Sequence, residues 1–167
     1  AREFATQFDV AAKPIDRLLE EGGIDGIVVA SSAPSHVDLA IRILNSGKHV
    51  YVEKPLALDL AGAQEIAAAA NLNNRQVMVG HLIRYHAAFI ELQAQVGAGA
   101  IGTLRHIQAN RLAMGRIRNT ESVLFDLCPH DLSLILALTG VEPIKVSCAG
   151  ASHVTPGVVD TLATVLG

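Results

Sequence analysis

The chain has 167 residues, and 13 Lys and Arg residues against 16 Asp and Glu residues give a formal net charge of −3. Hydrophobic residues make up 50% of the chain and charged residues 17%, which excludes a disordered protein and a nucleic-acid binder that works by bulk positive charge. No run of about 18 apolar residues is present, so no transmembrane helix is expected.

Apolar runs of helix and strand length alternate over the first half of the chain. In order, they predict the end of a helix, a short strand and a short helix at Ala1–Phe8, Val10–Ala12 and Pro14–Glu21. They then predict strands at Gly26–Ala30, His49–Val52 and Gln76–Gly80, the first two of the kind buried on both faces. Strands separated by helices at this spacing indicate a parallel α/β sheet.

The two helices between these strands have clear end signals. Ser35 begins the first, with Asp38 three residues on in a capping-box position, and Gly47 ends it. Asp59 opens the second, which is rich in alanine and runs to about Asn71.

The pattern changes after Gly80. Helices are predicted at His86–Val96 and at about Phe125–Leu138, and strands at Thr103–Leu112, Lys145–Val154 and Val158–Leu166. Long alternating strands imply an antiparallel sheet with one face in water. We therefore expect a second domain, with the boundary between Gly80 and Gly102.

The run Gly97–Gly102 matches G-x-G-x-x-G, but it is interpreted here as a plain turn. The dinucleotide-binding fingerprint must follow a strand and open a helix. In this chain a helix precedes the run and a strand is predicted after it, which is the reverse context.

Two loops follow the predicted strands Gly26–Ala30 and His49–Val52, at the edge where open α/β sheets bind ligands. Glu53, Lys54 and Pro55 come directly after His49–Val52, and a lysine there can stabilise developing negative charge. The segment Ser31–His36 follows the preceding strand, and its small residues and helix start suit a cofactor with anionic groups. A solvated Glu–Lys pair and an ordinary strand-to-helix loop are the alternatives.

Asp126 and His130 form a third candidate, because residues four apart on a helix share one face. A carboxylate beside an imidazole can orient it as a general base. Pro129 requires the helix to begin near Asp126 or to be kinked there. Three alternatives remain open: Asp126 as a helix cap, a metal site that includes Cys128, and Cys128 as a nucleophile.

Polar and basic residues also cluster after the last parallel strand and before Asp126. The first group is His81, Arg84, Tyr85 and His86, and the second is Arg105, His106, Arg111, Arg116 and Arg118. Most of these side chains suit a solvated surface, and His49 and His153 are interpreted as structural. Arg116 and Arg118 lie just ahead of the Asp126 segment, which makes them candidates for binding a phosphate.

The two cysteines, Cys128 and Cys148, form neither a disulfide framework nor a CxxC zinc pattern, and no signal peptide is apparent. A reducing, cytoplasmic setting is therefore expected. The chain starts at Ala1 without methionine, and both ends look cut from inside folded elements. We therefore expect it to be a piece of a longer protein.

The run Gly47–Pro55, GKHVYVEKP, resembles the G-K-H-V-x-x-E-K-P signature of the glucose–fructose oxidoreductase, inositol dehydrogenase and MocA family. Further matches follow in the family's order, at VMVG before His81, Arg84, the GAIG turn that ends at Gly102, and Asp126-x-x-x-His130. Within the family, the segments Gly80–His86 and Phe125–Leu132 are most similar to nucleotide-sugar 3-dehydrogenases, which oxidise UDP-N-acetylglucosamine-type substrates at C3.

The resemblance implies an NAD(P)-dependent oxidoreductase that acts on a secondary hydroxyl of a sugar, with NAD or NADP as cofactor and no metal. It implies a Rossmann-type parallel sheet followed by an α/β domain with an open, mostly antiparallel sheet. We expect a partial cofactor domain over residues 1–85 and a partial substrate and oligomerisation domain over residues 86–167. The first strand, the Gly-rich loop and the acidic ribose-binding residue of the family are expected to precede Ala1.

Carried over residue by residue, Lys54 matches the lysine between nicotinamide and substrate, His130 the general base and Asp126 its carboxylate partner. We expect Lys54 and His130 to serve one crevice. The candidate cofactor-binding residues are Ser31, Ser32, Pro34, His36, Glu53, Lys54 and Arg84. The candidate substrate-binding residues are Lys54, Tyr85, Arg116, Arg118 and His130.

Leu82, Ile83 and Ala87 depart from the residues common in the family, and they leave other substrates open. The alternatives are an inositol, polyol or free-sugar dehydrogenase, a non-catalytic binding member, and an inactive fragment. The expected partners are a small sugar or nucleotide sugar and further copies of the chain, as a dimer or tetramer formed through the C-terminal sheet. Neither nucleic acid nor a membrane is expected.

Overall fold

A three-stranded parallel sheet organises the first part of the chain. In the computed structural model, which describes residues 2–112 and 121–167, the sheet has the order β1 (Gly26–Val29), β2 (His49–Val52) and β3 (Val77–Val79). Gly26 lies opposite His49, and Val50 lies opposite Val77. The parallel sheet predicted from the alternating strands and helices is confirmed.

Four helices accompany this sheet: α1 (Arg2–Phe8), α2 (Ile15–Glu20), α3 (His36–Asn45) and α4 (Leu60–Asn73). Parallel neighbours need crossover connections, and α3 and α4 supply them. Gly47 follows α3 with a positive φ of 77°, a conformation that glycine adopts without steric cost. Asp59 caps α4, because its carboxylate oxygen accepts the Gly62 N–H at 2.8 Å.

The core of this part lies on one face of the sheet. Ile43 and Leu44 of α3, Ile66 of α4 and Val52 of β2 are fully buried there. Burying each large apolar side chain contributes roughly 1.5–3 kcal/mol. Val28 on the other face is 66% exposed. The expectation that the first strand is buried on both faces is therefore wrong, because the described helices cover only the face that carries Val29.

The second part of the chain combines short helices with a hairpin. Its elements are α5 (Ala87–Gly97), α6 (Val123–Asp126), α7 (Cys128–Thr139), β4 (Val146–Ala151) and β5 (Thr161–Leu166). Strands β4 and β5 are antiparallel, with Val146 opposite Leu166 and Ala151 opposite Thr161. The antiparallel sheet predicted for this part is confirmed.

Asp160 holds the connection between the two strands of the hairpin. One of its carboxylate oxygens accepts the N–H groups of His153 at 2.7 Å and Val154 at 2.8 Å, and the other lies 2.8 Å from the Nδ1 atom of His153. These hydrogen bonds, that of the His153 side chain first, lower the pKa of Asp160 to about 2. The turn is therefore stabilised by an ionised carboxylate.

The chain divides into two compact units, Ala1–Val79 and Gly80–Gly167. The domain boundary after residue 85, which the sequence suggested, stays a prediction. None of the helices in the described ranges has the length and apolarity needed to cross a membrane.

Two local expectations in the first unit are wrong. Val10–Ala12 is not a strand; instead the Val10 N–H donates to the carbonyl oxygen of Ala5 at 3.0 Å and closes α1. Ser35 makes no side-chain cap to α3. A short 3₁₀ turn, Ala33–Ser35, precedes the helix, and the Ser35 hydroxyl donates to the carbonyl oxygen of Ser32 at 2.8 Å. Serine side chains often bond locally in this way.

In the second unit, Thr103–Leu112 is not a strand in the described residues. Its alternating pattern marks which side chains share a face, but a strand also needs a hydrogen-bonded partner. The helix expected at Phe125–Leu138 is two helices with a break at Leu127. The run Gly97–Gly102 is confirmed as a turn, with positive φ at Gly99 and Gly102.

Candidate active site

The loop after β1 presents small polar residues at the carboxyl edge of the parallel sheet. Ser31 and Ser32 are exposed, whereas the Ala33 side chain is buried beneath them. The hydroxyl oxygens of Ser31 and Ser35 lie 2.6 Å apart. Pro34 is the middle residue of the 3₁₀ turn and is exposed. The low side-chain bulk leaves the exposed Ser31 and Ser32 side chains accessible to a ligand.

The loop after β2 lies beside it, because β1 and β2 are hydrogen-bonded neighbours. The Glu53 N–H donates to the carbonyl oxygen of Val29 at 2.9 Å, which extends the pairing past β2. Glu53 and Lys54 are half-buried and Pro55 is buried. The Lys54–Pro55 peptide bond is cis. The structure thus places Lys54 in the loop that directly follows β2, next to the strand that leads to Ser31.

His36 connects these two loops from inside the unit. The ring is 1% exposed. Its Nδ1 atom lies 2.8 Å from the carbonyl oxygen of Pro55, and its Nε2 atom lies 3.1 Å from that of Ser31. Both ring nitrogens therefore face the protein backbone. This arrangement differs from the direct cofactor contact that the sequence suggested for His36.

In the second unit, Asp126 and His130 flank the helix break at Leu127. Asp126 is the last residue of α6, and His130 is the third residue of α7. Pro129 occupies the first turn of α7, where its missing N–H costs no helical hydrogen bond. Both Asp126 and His130 are half-buried. Because the helix is interrupted between them, the i,i+4 rule does not by itself place the two side chains on one face.

An ion pair fixes α7 next to His130. The Arg111 guanidinium donates to both carboxylate oxygens of Asp131, at 3.0 and 2.8 Å. This contact, first of all the hydrogen bond, raises the pKa of Arg111. Sequence reasoning assigned Arg111 to the solvated surface, and no local signal marks a pair that is 20 residues apart.

His81 is a second residue to which the sequence assigned no role. Its Nδ1 atom is buried and has no hydrogen-bond partner among the described residues. Burial, and then the positive charge of Arg84, lower the pKa of His81. Arg84 and Tyr85 lie in the 3₁₀ turn Leu82–Tyr85 that follows His81, and both are exposed. Perturbed histidines are often functional, so His81 joins the candidates.

Arg116 and Arg118 lie outside the residues that the structure describes. Burial raises the pKa of Cys128, with the carboxylate of Asp131 contributing. A raised pKa disfavours the thiolate that a nucleophile or metal ligand requires. Over residues 2–112 and 121–167, no three His, Cys, Asp or Glu side chains are grouped to hold a metal ion.

The loops of the first unit fit a nicotinamide dinucleotide. They combine exposed hydroxyls at Ser31 and Ser32 with a cation, Lys54, at adjacent carboxyl ends of parallel strands. Hydroxyls and cations can bond the phosphates and sugar hydroxyls of such a molecule. The donor set in the described part of the chain therefore agrees with the cofactor expected from the sequence.

Comparisons with curated proteins give two informative relatives. The chain is 34% identical to a UDP-N-acetylglucosamine 3-dehydrogenase from Acidithiobacillus ferrooxidans, over 93% of this chain and 48% of that protein. It is 32% identical to an inositol 2-dehydrogenase from Acidothermus cellulolyticus, over 85% of this chain and 43% of that protein. The chain thus spans less than half the length of either relative.

Solved structures show the same fold. An aldose–aldose oxidoreductase from Caulobacter crescentus superposes with a TM-score of 0.84 at 23% identity, over 98% of this chain and 54% of the other. An NAD-binding protein from Listeria innocua superposes with a TM-score of 0.85 at 24% identity, over 98% of this chain and 51% of the other.

Two models of one family cover nearly the whole sequence. Residues 1–81 match the oxidoreductase family with an NAD-binding Rossmann fold, GFO_IDH_MocA, and residues 89–167 match the GFO/IDH/MocA C-terminal domain. The parallel sheet with its loop lysine, the two matches and the curated relatives agree, and the chain belongs to the GFO/IDH/MocA family of oxidoreductases.

Proposed function

We propose that the complete protein is an NAD(P)-dependent dehydrogenase that oxidises a secondary hydroxyl of a nucleotide sugar at C3. The observation that carries the proposal is Lys54 in the loop after β2 of an NAD-binding Rossmann unit, beside the open loop of Ser31 and Ser32. The sugar-nucleotide substrate is supported by the 34% identity to a UDP-N-acetylglucosamine 3-dehydrogenase.

The proposed chemistry assigns each residue one task. His130 takes the proton of the substrate hydroxyl while the carbon that bears this hydroxyl becomes a carbonyl carbon. Asp126 orients the imidazole and stabilises it once it is protonated. Lys54 donates a hydrogen bond to the reacting oxygen, where negative charge develops. When bound, the nicotinamide dinucleotide supplies the acceptor for the hydrogen and electron pair that leave the carbon.

The remaining candidates bind rather than react. In this proposal the dinucleotide is bound by Ser31, Ser32, Pro34, Glu53 and Arg84. Tyr85 packs against the sugar. Arg116 and Arg118 hold the diphosphate, for which guanidinium groups suit best because they pair with two oxygens at once.

An inositol or polyol dehydrogenase is the second candidate, because an inositol 2-dehydrogenase is 32% identical to the chain. The same general base and lysine serve either reaction. The two candidates differ at the arginines, since a neutral polyol offers no phosphate for Arg116 and Arg118 to bind.

Steady-state kinetics of the full-length protein test the proposal. NADH formation is followed with UDP-N-acetylglucosamine, myo-inositol and glucose, and we expect turnover with the nucleotide sugar. Turnover of myo-inositol alone would support the polyol enzyme, and dinucleotide binding without turnover of any substrate would support a non-catalytic member.

Variants test the assigned roles. His130→Gln should lower kcat by about 10²–10⁴-fold and leave dinucleotide affinity nearly unchanged. The matched control His153→Gln, at the hairpin turn, should keep parent activity.

Arg116→Ala and Arg118→Ala should raise KM for the nucleotide sugar about tenfold for each ~1.4 kcal/mol of binding lost. Arg105→Ala serves as their control.

The setting of the enzyme completes the proposal. We propose a cytoplasmic homo-oligomer, a dimer or tetramer formed through the C-terminal sheet, with the cofactor domain ending near residue 85. Light scattering of the full-length protein measures its mass in solution, and a monomer would contradict the assembly.

A further inference from the structure

His36 is the buried link between the two loops that carry the candidate cofactor and catalytic groups. Its ring nitrogens lie 2.8 Å from the Pro55 carbonyl oxygen and 3.1 Å from the Ser31 carbonyl oxygen. Pro55 is bonded directly to Lys54, and Ser31 opens the loop after β1. His36 lies 19 residues before Pro55 and 5 residues after Ser31, so one side chain lies against the backbones of both loops.

Both partners of His36 are backbone carbonyl oxygens, which only accept hydrogen bonds. A contact is formed only where the facing ring nitrogen carries a proton, and a neutral imidazole carries one. The ring is 1% exposed, so water cannot readily replace it as a donor. Removing the ring would therefore leave the buried carbonyl oxygen of Pro55 without its donor, and the loop after β2 would move to solvate it.

The helices around this corner are closely packed. A Cβ atom on Gly62 of α4 would lie only 2.8 Å from Cγ2 of Val37, the residue that follows His36 in α3. Asp59 caps α4 at the same place through Gly62. The first turns of α3 and α4 therefore pack tightly against each other. This packing fixes the backbone at His36, so the position of its ring relative to Pro55 is also fixed.

We propose that His36 is a positioning residue: the Nδ1–H of its buried ring donates to the Pro55 carbonyl oxygen, anchors the Lys54 segment to the start of α3 beside the Ser31 loop, and so sets the place of the lysine relative to the cofactor. The role of Lys54 in this inference rests on the proposed function. The link itself is a property of the first unit and can be measured without turnover.

Two conservative variants separate the two contacts. The carboxamide of His36→Asn can place an N–H near the position of Nδ1, facing Pro55. That of His36→Gln can place one near the position of Nε2, facing Ser31. If the contact to Pro55 positions Lys54, His36→Asn should retain most of the turnover of the full-length enzyme. His36→Gln should lose up to about 10²-fold in kcat, the cost of a misplacement near 1 Å.

Lys48→Met is the matched control. Lys48 is 7% exposed, and its Nζ atom donates to the carbonyl oxygens of Glu21 at 3.0 Å and Ile24 at 3.1 Å. It therefore makes the same kind of link between backbone segments as His36. However, Lys48 precedes β2 in the sequence, whereas the Lys54 loop follows β2. We expect Lys48→Met to lower stability to unfolding and to leave kcat at the parent value.

Amide hydrogen exchange gives a readout that does not depend on activity. In His36→Leu, the non-proline amides of residues 31–35 and 53–58 should exchange at least about tenfold faster than in Lys48→Met of similar stability. In His36→Gln, which keeps a donor near Ser31, this faster exchange should be confined to residues 53–58. Dinucleotide affinity, measured by NADH fluorescence, should change less than kcat in His36→Gln.

The outcomes separate the link from the proposed function. Equal exchange of both loops in the His36 variants and in Lys48→Met would overturn the link. Equal kcat losses in His36→Asn and His36→Gln would overturn the positioning of Lys54 through Pro55. Faster loop exchange in the His36 variants, combined with a parent protein that binds NADH but oxidises none of the three substrates, would keep the link and overturn the proposed function.

Discussion

The two units are stabilised in different ways. In the first, helices α3 and α4 bury Ile43, Leu44 and Ile66 completely against the sheet. In the second, β4 is exposed along its whole length and β5 alternates between exposed and half-buried residues. Phe89 is the one buried large apolar side chain of the second unit among the residues described.

The second unit relies instead on directional contacts. The Arg111–Asp131 ion pair, the Asp160 turn and the hairpin ladder hold its elements. A groove of about 1050 Å³ lies between segment 104–111, α7 and β5. Substitutions in the first unit are therefore expected to change its stability through packing, whereas those in the second unit change its stability through individual polar contacts.

The largest expected difference concerns two helical isoleucines. Ile66 of α4 is fully buried and Ile90 of α5 is 52% exposed. Ile66→Ala should therefore destabilise its unit by about 2–5 kcal/mol, and Ile90→Ala should change stability by no more than about 0.5 kcal/mol. Urea unfolding followed by amide exchange in β2 and in β5 measures each unit, and equal effects would remove the contrast.

Glycine-to-alanine changes should have opposite signs in the two units. The added methyl group of Gly62→Ala would meet Val37 at 2.8 Å, whereas that of Gly97→Ala meets nothing within 4 Å. Val37 is stiff at χ1, so Gly62→Ala should cost about 1–3 kcal/mol. Gly97→Ala should stabilise α5 by up to about 1 kcal/mol. Thermal unfolding of both variants checks the signs, and a stabilised Gly62→Ala would contradict the packing argument.

The ion pair of the second unit gives a smaller effect. Arg111→Lys keeps the charge but cannot bond both oxygens of Asp131, so we expect a loss of about 1 kcal/mol. Arg105→Lys, in the same segment, is the control and should be neutral. Amide exchange across α7 measures the loss of stability. Unchanged protection there would show that the two hydrogen bonds from Arg111 to Asp131 do not stabilise α7.

The smallest effect is confined to acid. Asp160 has a pKa of about 2 in the folded protein and about 3.9 when unfolded. The unfolded chain therefore binds more protons between these values, so the stabilising contribution is present above about pH 3.9 and is lost as the pH falls through about 2. Asp160→Asn should flatten this dependence of hairpin protection on pH. An unaltered acid profile would show that the turn does not depend on the charge.

Sequence periodicity predicted the first unit well because its signals are local. The apolar runs of β1 and β2, the cap at Asp59 and the turn at Gly47 each lie within a few residues of the element that they define. Periodicity did not reveal which sheet face the helices cover, so the exposure of Val28 was missed. The partners of His36 at Pro55 and Ser31 were also missed, since they depend on how two loops meet.

The second unit shows the limit of pattern reasoning more clearly. Thr103–Leu112 has the alternation of a strand, but pairing is decided by a partner that is distant in sequence. Arg111 and Asp131 are likewise separated by 20 residues. Pro129, in contrast, did predict the interruption at Leu127, because its effect on a helix is confined to the preceding turn. Of the candidate residues, Lys54, Asp126 and His130 were identified by family resemblance more than by spacing.

The two thiols of the chain differ in accessibility and therefore in reactivity towards alkylating reagents. Cys148 is exposed on β4, whereas Cys128 is half-buried in the first turn of α7, where burial raises its pKa. A maleimide reagent at neutral pH will therefore label Cys148 first, because Cys148 is accessible and burial disfavours the reactive thiolate of Cys128. The slower reaction of Cys128, two residues from His130, then reports how often the start of α7 opens. The chain thus contains an attachment site for a spectroscopic label on the hairpin, Cys148, and a thiol whose reaction rate reports on the region beside the candidate base, Cys128.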